Sequence, residues 1–415
     1  MREMKDSGIS WVGEIPKEWS VWRNKYIFKI TKDIVLPSKS YQLLSLTTTG
    51  IKEKDENDNG GKVPENYDGY QIVKENDLVM CLFDLDCSAV FSGLSPYNGM
   101  ISPAYKVLKV KKRIANEQYY RYWFNYVGSK RFYKQYSKSL RFTLNADEFN
   151  RLFSLLPSLV EQQRIAEFLD RECGKIDGLK ADIQAQIDTL EQYKRSVITE
   201  AVTHGLNPSV PMKDSGIPWV GQFPTHWTKK KGKYILRYMS KPVKQDDGVI
   251  TCFRDGEVTL RSNRREDGFT MADKEIGYQG VDVGDLVVHG MDGFAGAIGI
   301  SDSRGKASPV LNVLNTKQNK KYIMYYLRSM AYGEVFTALS TGIRVRSCDL
   351  RWNKLAELLY PLPPIDEQNN IVNYIDEQIA RTNEIIADKK MQIETLDGYK
   401  KSLIYEYVTG KKEVV

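Results

Sequence analysis

The sequence is poor in the residues from which metal sites and catalytic dyads are built. It has five cysteines, none in a CxxC pair, and three histidines that form no HxxxH or HExxH motif. Zinc sites use such spacings, so no zinc or other metal site is expected and the cysteines are predicted to be reduced. No apolar run approaches the roughly 20 residues that span a bilayer, and the amino terminus has no apolar signal stretch. We therefore expect a soluble, cytoplasmic protein that does not contact a membrane.

Compact enzyme motifs are also missing. An adenine methyltransferase needs (Asp/Asn)-Pro-Pro-(Tyr/Phe), and the nearest strings, at 95–97 and 362–365, do not match it. The string at 409–412 lacks the upstream glycine and the final hydroxyl of a P-loop. The glycine-rich stretch 290–299 lacks the GxGxxG order of a dinucleotide site, and close backbone approach within a sheet is the preferred interpretation. These absences predict a chain that binds rather than catalyses.

The most informative feature is a long segment that occurs twice. Residues 161–203 match residues 367–409 without a gap, at the offset of 206 that separates Glu161 from Glu367. Chance does not hold register over such a length, and a period of roughly 200 residues is too long for a solenoid or a propeller. The chain is therefore predicted to consist of two fused, related halves.

The periodicity of the repeated segment predicts a coiled-coil helix, and Ser158 with Glu161 forms a predicted capping box at the start of the first copy. Apolar residues in the first copy recur every seven positions, with others between them: Leu169, Ile176, Ile183, Leu190 and Val197, then Ile165, Leu179 and Tyr193. In the second copy Thr382 and Lys389 occupy the seam. An apolar stripe runs beside them: Ile379, Ile386 and Ile393. A lone helix would leave its stripe in water, so the two copies are expected to pack on each other.

The segments before the two helices are also related. Residues 4–19 and 212–227 share a motif rich in glycine, proline and tryptophan, for which an anchored loop with tryptophan packed on a domain edge is predicted. Short β-rich runs follow in each half: 41–46, 77–82 and 104–110, then 249–253, 285–289 and 310–314. The two halves are therefore expected to share one fold with different loops, as two related readers of different ligands would.

Each half then contains an aromatic helix, near 117–136 and near 321–339. The first carries its aromatic residues at helical spacing, which favours core packing over base stacking: Tyr119, Tyr122, Trp123 and Tyr126. A loop with small residues follows, in which Arg141 aligns with Arg344. Such an arginine could contact a phosphate or a guanine edge, or could equally be solvated or structural.

Basic residues cluster locally although the formal net charge is only +7. Four lysines lie within 229–233, and arginines lie at 261, 264 and 265, whereas the predicted long helices are rich in acidic residues. This separation suggests a polyanion as one partner.

Two variable β-rich segments alternate with two long helices, and a Leu-Pro-x-x-x-Glu-Gln string enters each helix, at 156–162 and 362–368. The paired (Ser/Pro)-Trp-Val-Gly-x-(Ile/Phe)-Pro openings complete the pattern, which covers essentially the whole chain. This order of parts resembles the specificity subunit of type I restriction-modification systems. The resemblance implies an α+β fold: two target recognition domains (1–155 and 206–361), and two spacer helices (156–205 and 362–412) in an intramolecular antiparallel coiled coil with a pseudo-twofold repeat.

The resemblance also implies a division of labour. The chain would be a non-catalytic subunit that binds double-stranded DNA at a bipartite, asymmetric site. It would direct two methyltransferase subunits and the restriction motor subunits. S-adenosylmethionine, ATP and Mg²⁺ would be used by those partners, and this chain would bind no cofactor. There are two alternatives. One is a self-contained restriction or modification enzyme, which only the scattered carboxylates support. The other is a coiled-coil scaffold without DNA specificity.

Candidate site residues follow from the basic loops and from the repeated helices. The candidates for DNA contact are Thr47, Thr48, Thr49, Lys52, Lys54, Arg141, Arg254, Arg261, Arg264, Arg265, Arg344 and Arg346. The candidates for partner contact are Glu161, Gln162, Tyr193, Lys194, Glu367, Gln368, Tyr399 and Lys400.

Overall fold

The computed structural model describes residues 2–35, 41–54, 67, 69–264, 275–339 and 350–414. The chain divides into two compact units. Unit 1 contains Met1–Ile183 and Met391–Val415, and unit 2 contains Gln184–Lys390. Each unit therefore holds one β-rich domain together with parts of two long helices. The four-segment division expected from the sequence stays a prediction.

Unit 1 contains the following strands: β1 Met4–Asp6, β2 Glu14–Pro16, β3 Ser20–Arg23, β4 Phe28–Thr31, β5 Leu44–Thr47, β6 Gly50–Glu53, β7 Gln71–Val73, β8 Leu78–Met80, β9 Ser92–Leu94, β10 Gly99–Ile101, β11 Lys106–Val110 and β12 Phe153–Leu156. Its helices are α1 Asn24–Ile27, α2 Glu117–Ser129, α3 Ala146–Arg151 and the first part of α4 Leu159–His204. The three β-runs predicted in this half are confirmed as β5, β8 and β11, each slightly shorter than predicted.

Unit 2 repeats this order with strands β13 Met212–Asp214, β14 Gln222–Pro224, β15 Thr228–Lys231, β16 Leu236–Tyr238, β17 Ile250–Cys252, β18 Val258–Leu260, β19 Gln279–Val281, β20 Leu286–His289, β21 Ile298–Ile300, β22 Gly305–Ala307, β23 Leu311–Thr316 and β24 Leu359–Leu362. Its helices are α5 Lys320–Tyr332, α6 Val335–Ala338, α7 Trp352–Glu357 and most of α8 Ile365–Val408.

The two domains have the same sheet topology. A four-stranded antiparallel sheet has the order β4-β11-β8-β9 in unit 1 and β16-β23-β20-β21 in unit 2. Matching antiparallel pairs surround it: β1-β2, β3-β12, β5-β6 and β7-β10, then β13-β14, β15-β24, β17-β18 and β19-β22. The predicted α+β fold with an internal duplication is confirmed.

Alternation along the central strands separates two cores in each domain. In unit 1 Leu78 and Met80 pack in the core with the aromatic helix α2, whereas Val79 points the other way into a small core with the β5-β6 hairpin. In unit 2 Leu286 and Val287 divide in the same way. Successive strand residues face opposite sides of a sheet, so one strand serves both cores. The sheet thus holds a hairpin on one side and the aromatic helix on the other.

The aromatic helices and the tryptophan motifs belong to the large cores. The four aromatic residues of α2 singled out from the sequence are buried, with at most 6% of each exposed, so the predicted core role is confirmed. Trp19 and Trp227 are fully buried, as predicted for anchors of the opening segments. These segments form the short hairpins β1-β2 and β13-β14 rather than plain loops.

The long helices pair in antiparallel orientation within each unit. In unit 1 the Lys400 Nζ atom donates to Asp177 over 2.7 Å, and Lys180 donates to Asp397. In unit 2 Lys194 Nζ donates to Asn383 Oδ1 over 2.8 Å. As the residue number increases along α4, the number of its bonded partner in α8 decreases. This order confirms the predicted intramolecular antiparallel pairing.

One part of the predicted seam is wrong. Leu179 and Tyr193 are 53% and 46% exposed. The row that faces the partner helix lies four residues after each seam position and is partly polar: Cys173, Lys180, Ile187, Lys194 and Ala201. Polar side chains complete this contact by hydrogen bonding across the helix pair, whereas the apolar pattern alone favoured the other row.

The start of α4 also differs from the predicted capping box. The Glu161 backbone N–H donates to Ser158 Oγ over 3.3 Å, as half of the box requires. The Glu161 carboxylate instead accepts hydrogen bonds from Arg2 and Trp19. The second half of the box is therefore replaced by a tertiary contact.

Three further expectations can be compared with the described residues. Cys81, Cys87, Cys173 and Cys252 are free, and Cys348 lies outside the described part of the chain. Among the described residues no cluster of histidine, cysteine and carboxylate side chains could hold a metal ion. Within the same residues no helix is long and apolar enough to cross a membrane.

Candidate nucleic-acid interface

A repeated polar contact joins each domain to the helix that follows it. Trp19 Nε1 donates to Glu161 Oε2 over 2.9 Å, and Trp227 Nε1 donates to Glu367 Oε1 over 3.0 Å. In unit 2 His226 adds a 2.7 Å contact to the same carboxylate. The tryptophan of each opening motif is thus tied to the glutamate of the following Glu-Gln pair.

The glutamine of each pair is fully buried and fixes the aromatic helix. Gln162 Oε1 accepts from the backbone of Asn116, the N-cap of α2, over 2.8 Å, and its amide donates to the carbonyls of Ile114 and Pro157, both over 2.9 Å. Gln368 accepts from Asn319, the N-cap of α5, over 3.0 Å. A buried amide with satisfied partners orients the domain on its helix.

The first aromatic residue of each helix completes this framework. Tyr119 OH donates to the carbonyl of Val408, and Tyr322 OH donates to that of Val202, over 3.0 and 3.2 Å. The accepting carbonyls lie in the last turns of α8 and α4, where helical carbonyls lack internal partners. Burial raises the pKa of both tyrosines well above the usual range, so both stay protonated donors.

The candidate residues 47–49 lie at the tip of the β5-β6 hairpin. The Thr47 hydroxyl donates to the Gly50 carbonyl over 2.8 Å and accepts from the Thr49 backbone N–H over 3.2 Å, so it shapes the turn. Thr48 and Thr49 are exposed, and Lys52 is exposed on β6. Lys54 is half-buried and its backbone donates to Leu43. The hairpin therefore presents two hydroxyls and one ammonium group to solvent.

A groove of about 890 Å³ lies beside this hairpin within unit 1. Thr48 and Thr49 line one part of it, and Arg121, Lys180 and Lys400 line another. Asp170 accepts from Arg121 and, over 2.7 Å, from Tyr122 OH. The groove thus combines hydroxyl donors with cations that carboxylates already hold in place.

In unit 2 the candidate arginines surround the equivalent hairpin, β17-β18. Arg254, Arg261 and Arg264 line a cavity of about 540 Å³. Arg254 pairs with Asp292 over 2.9 Å, and its side chain is 68% exposed. Arg264 pairs with Asp255 over 2.6 Å and lies 4.1 Å from the centre of the Phe253 ring. These contacts orient the guanidinium groups but also neutralise part of their charge.

Two ionisable groups of this cavity have shifted pKa values. Burial acts against ionisation of Asp255, but hydrogen bonds from Arg264 and from the Glu257 backbone, together with the charges of Arg264 and Arg328, outweigh it and lower the pKa of the carboxyl. Burial lowers the pKa of His289, and its Nδ1 atom accepts from the backbone N–H groups of Met291 and Asp292 over 3.2 and 2.9 Å. Around neutral pH the Asp255 carboxyl is therefore ionised and the His289 imidazole is neutral, beside three guanidinium ions.

The two hairpins hold different residues at the same place in one framework. The β5-β6 tip reads Thr-Thr-Thr-Gly, and the β17-β18 tip reads Phe-Arg-Asp-Gly-Glu, one residue longer. Arg328 of α5 donates to the Asp255 carbonyl over 2.8 Å and so supports the second tip.

The glycine-rich stretch 290–299 lies against this tip, because the Cβ atom of a side chain at Gly299 would lie 1.9 Å from the Gly256 carbonyl. The predicted close backbone approach is thereby confirmed.

The remaining DNA candidates lie on the loops after the aromatic helices. Arg141 is exposed at the tip of a loop that Ser137 and Ser139 hydroxyls pin to the Thr143 carbonyl, over 2.9 and 3.4 Å. Arg265, Arg344 and Arg346 lie outside the described residues. All these assignments to DNA contact stay predictions.

The candidates for partner contact divide into two kinds. The Glu-Gln pairs bond within their own units, and both glutamines are fully buried. Lys194 and Lys400 join the two long helices, as described above. Tyr193 and Tyr399, which are equivalent in the repeat, are 46% and 57% exposed. Among these residues the two tyrosines offer the largest free surface, and the assignment to partner contact stays a prediction.

Comparison with known proteins finds one curated relative and several solved structures that are similar to this chain. The chain matches no family model. It is 22% identical over 441 residues to the putative type I restriction enzyme MjaX specificity subunit of Methanocaldococcus jannaschii, and the match covers 97% of this chain and 96% of the relative. A chain from a structural study of type I R-M system assembly and conformational transition superposes with a TM-score of 0.67 at 12% identity, covering 96% and 99% of the two chains. The chain is similar over its full length to a type I specificity subunit.

A crystal structure of the HsdS subunit from Thermoanaerobacter tengcongensis is also similar, at 13% identity over 96% of this chain and 98% of that chain. Its TM-score of 0.48 is too low to support an argument. The resemblance inferred from motif order and duplication is confirmed, and with it the specificity-subunit fold.

Sequence reasoning missed two features of the site. It did not predict that residues 47–49 and Arg254 occupy equivalent hairpins, because the tips differ in length and composition. It also did not predict that Glu161 and Glu367 accept hydrogen bonds from the buried Trp19 and Trp227. A tryptophan and a glutamate that are both retained in the two halves were the signal for that contact.

Proposed function

We propose that the chain is the DNA-reading subunit of a type I restriction-modification complex. Unit 1 and unit 2 would each read one half of a split, asymmetric site in double-stranded DNA. The observation that carries this proposal is the pair of equivalent hairpins with different tips on one shared framework. The two tips carry different hydrogen-bond donors and acceptors at equivalent exposed positions, as expected for two domains that read different base sequences.

The proposal assigns catalysis to partner proteins. The chain would bind two methyltransferase subunits along its long helices, and restriction motor subunits would join them in the cytoplasm. S-adenosylmethionine, ATP and Mg²⁺ would be used by those partners, and this chain would bind none of them. The full-length similarity to a protein named as a specificity subunit supports this role.

Mapping methylated adenines in cells that contain the chain with its methyltransferase tests the proposal. We expect one bipartite motif with a fixed gap. Arg254→Ala should change base preference in only one half of the motif, and Thr48→Ala should change it in only the other half. A single undivided motif, or both substitutions acting on the same half, would contradict the assignment of the two units.

Binding should also depend steeply on salt. Each phosphate that a lysine or arginine neutralises contributes about −0.9 to the slope of log affinity against log salt concentration. Titrations of a short duplex at several salt concentrations measure this slope. A slope near zero would contradict DNA binding through the basic residues.

The two rival functions predict other outcomes. A self-contained enzyme would methylate or cleave DNA when the purified chain receives S-adenosylmethionine, ATP and Mg²⁺, and we expect neither activity. A scaffold without specificity would select no motif from random duplexes. Either of these results would replace the proposed function.

A further inference from the structure

A second basic surface lies outside the hairpins and loops discussed above. It consists of Arg23, Lys25, Tyr26 and Lys29 in unit 1, all exposed on β3, α1 and β4. The equivalent surface in unit 2 consists of Lys231, Lys233, Tyr234 and Arg237, also exposed, on β15, β16 and the turn between them. We name these two sets the basic-tyrosine faces.

The faces keep the same chemistry at each of four positions in the two halves. Each has three cations and one exposed tyrosine, and Tyr26 and Tyr234 are 51% and 73% exposed. The hairpin tips of the same two domains share no such pattern. A surface whose chemistry is the same in both halves, while the residues at the hairpin tips differ, fits a target that is the same at both half-sites.

Each face is held by a buried residue in its middle. Asn24 is fully buried, and its side chain donates to the Phe149 carbonyl over 3.0 Å. Gly232 takes the same place in unit 2, where a side chain would lie 2.1 Å from the Leu355 carbonyl. These close contacts with α3 and α7 fix the turn, so the cations on either side of it project to solvent from a rigid backbone.

The charges of the two faces differ in how far they are compensated. None of Arg23, Lys25 and Lys29 forms an ion pair with a residue that the structure describes, and the register places Lys109 opposite Lys29. In unit 2 Lys231 and Lys233 both bind Glu357, over 2.7 and 2.8 Å. These two hydrogen bonds lower the pKa of Glu357 to about 2, so its carboxylate is ionised at neutral pH.

We propose that the basic-tyrosine faces bind the phosphate backbone of duplex DNA independently of its sequence. This inference rests on the proposed function and adds a second mode of contact to it. Ammonium, guanidinium and phenol groups are donors to phosphate oxygens, and such contacts position a protein on DNA without reading bases. The phosphate backbone is the part of a split site that is alike at both halves.

The first experiment compares purified full-length variants on a random-sequence duplex and on the selected site. Arg23→Gln, Lys25→Gln and Lys29→Gln together should lower affinity for both duplexes by the same factor. Because this variant cannot neutralise three of the phosphates, we expect a slope of log affinity against log salt that is shallower by about 2.7 and an affinity about 10- to 100-fold lower. The motif selected from random duplexes should not change.

A matched control removes the same charge from other elements of unit 1. Lys5, Lys74 and Lys130 are exposed, and their joint replacement by glutamine should leave the salt slope within error of the wild type. An equal decrease in this control would show a general charge effect and overturn the assignment to the face. Circular dichroism melting of both variants detects any loss of folding.

A gain of binding gives a test that misfolding cannot imitate. Glu357→Gln removes the carboxylate that holds Lys231 and Lys233, so both ammonium groups become available to phosphates. We expect tighter binding to the random duplex and a salt slope steeper by up to about 1.8. Unchanged affinity would overturn the inference for unit 2.

The results also separate this inference from the proposed function. If the wild-type chain, alone and with its methyltransferase subunits, binds no DNA, the proposed function fails and the inference falls with it. If the wild type binds and selects a motif but the triple variant has the same slope, only the inference fails. Loss of methyltransferase assembly with unchanged DNA affinity would show that the face docks a protein instead.

Discussion

At the scale of single residues, a buried glutamine decides how each domain meets its helix. Gln162 makes three hydrogen bonds and is fully buried, so its removal leaves two backbone carbonyls and one backbone N–H without that partner. A buried polar group without a partner costs about 1–3 kcal/mol. We therefore expect Gln162→Ala to lower the free energy of unfolding by about 3 kcal/mol, measured by urea denaturation.

The neighbouring Gln163 supplies the control, because its side chain is exposed on the same helix. Gln163→Ala should change the unfolding free energy by less than about 0.5 kcal/mol, as is usual for surface positions. Similar effects of the two substitutions would contradict the structural role of Gln162. The same comparison applies to Gln368 and the exposed Asn370 in the second half.

A charge network in unit 2 should make the stability of this unit depend on pH in the acid range. Arg304 donates to both carboxylate oxygens of Asp247, over 3.0 and 2.7 Å, and also bonds Asp282, which Lys241 holds over 2.6 Å. Hydrogen bonds from Arg304 lower the pKa of Asp247 to about 2, from an ordinary value of 3.8. Hydrogen bonds from Lys241 and Arg304 likewise lower the pKa of Asp282.

A carboxyl whose pKa is lower in the folded state stabilises the protein above its unfolded pKa and loses this contribution as pH falls. Stability from Asp247 should therefore be complete above about pH 5 and decline toward pH 2. Thermal melting at a series of pH values measures this decline. In Asp247→Asn the decline should be shallower over this window, and an unchanged pH profile would contradict the role of this ion pair.

At the scale of elements, the long helices expose an apolar row that the pairing does not use. Leu179 and its repeat equivalent Ile385 are 53% and 47% exposed, and the equivalent pair Tyr193 and Tyr399 continues the row. Apolar side chains at equivalent places on two helices suit partner helices. The row is therefore the part of the helices most suited to the proposed methyltransferase subunits.

Charged substitutions in this row should prevent assembly without unfolding the chain. We expect Leu179→Asp together with Ile385→Asp to weaken methyltransferase binding at least about 100-fold, because two apolar contacts are replaced by buried charges. Pull-down and calorimetric titration with the methyltransferase measure the loss. The exposed pair Thr189 and Thr395 gives a matched control, since Thr189→Asp with Thr395→Asp should bind as the wild type does.

At the scale of the whole molecule, each long helix runs from one unit into the other. Both helices cross the division at defined points, between Ile183 and Gln184 and between Lys390 and Met391. The contacts described above lie on either side of these points. An insertion at both points would therefore leave the internal contacts of each unit intact.

A heptad inserted at both points should lengthen the gap between half-sites and leave the bases unchanged. Seven helical residues add about 10 Å, which corresponds to about three base pairs of DNA. A heptad preserves the helix register, and three heptads add about 32 Å, close to one DNA turn. Mapping methylated adenines measures the new gap, and altered bases with the old gap would contradict a spacing role for the helices.

The sequence by itself determined the duplication, the fold class and the family resemblance. These conclusions rest on patterns that are visible in the sequence alone: a constant offset between the two halves, a seven-residue period of apolar residues, and paired motifs around Trp19 and Trp227. The core role of the aromatic helices also followed from spacing, because residues three or four apart share one helix face. The burial of apolar helix residues such as Leu169 was predicted correctly for the same reason.

Only the tertiary structure decided which polar residues meet. Lys180 and Lys194 lie in the helix contact and Leu179 does not, because carboxylate and amide partners come from the other helix. The two hairpins became equivalent only through the common sheet topology of the two units, since their tips share little sequence beyond one glycine. Local patterns report which face of an element is apolar, whereas polar contacts between distant segments depend on the packing of the whole unit.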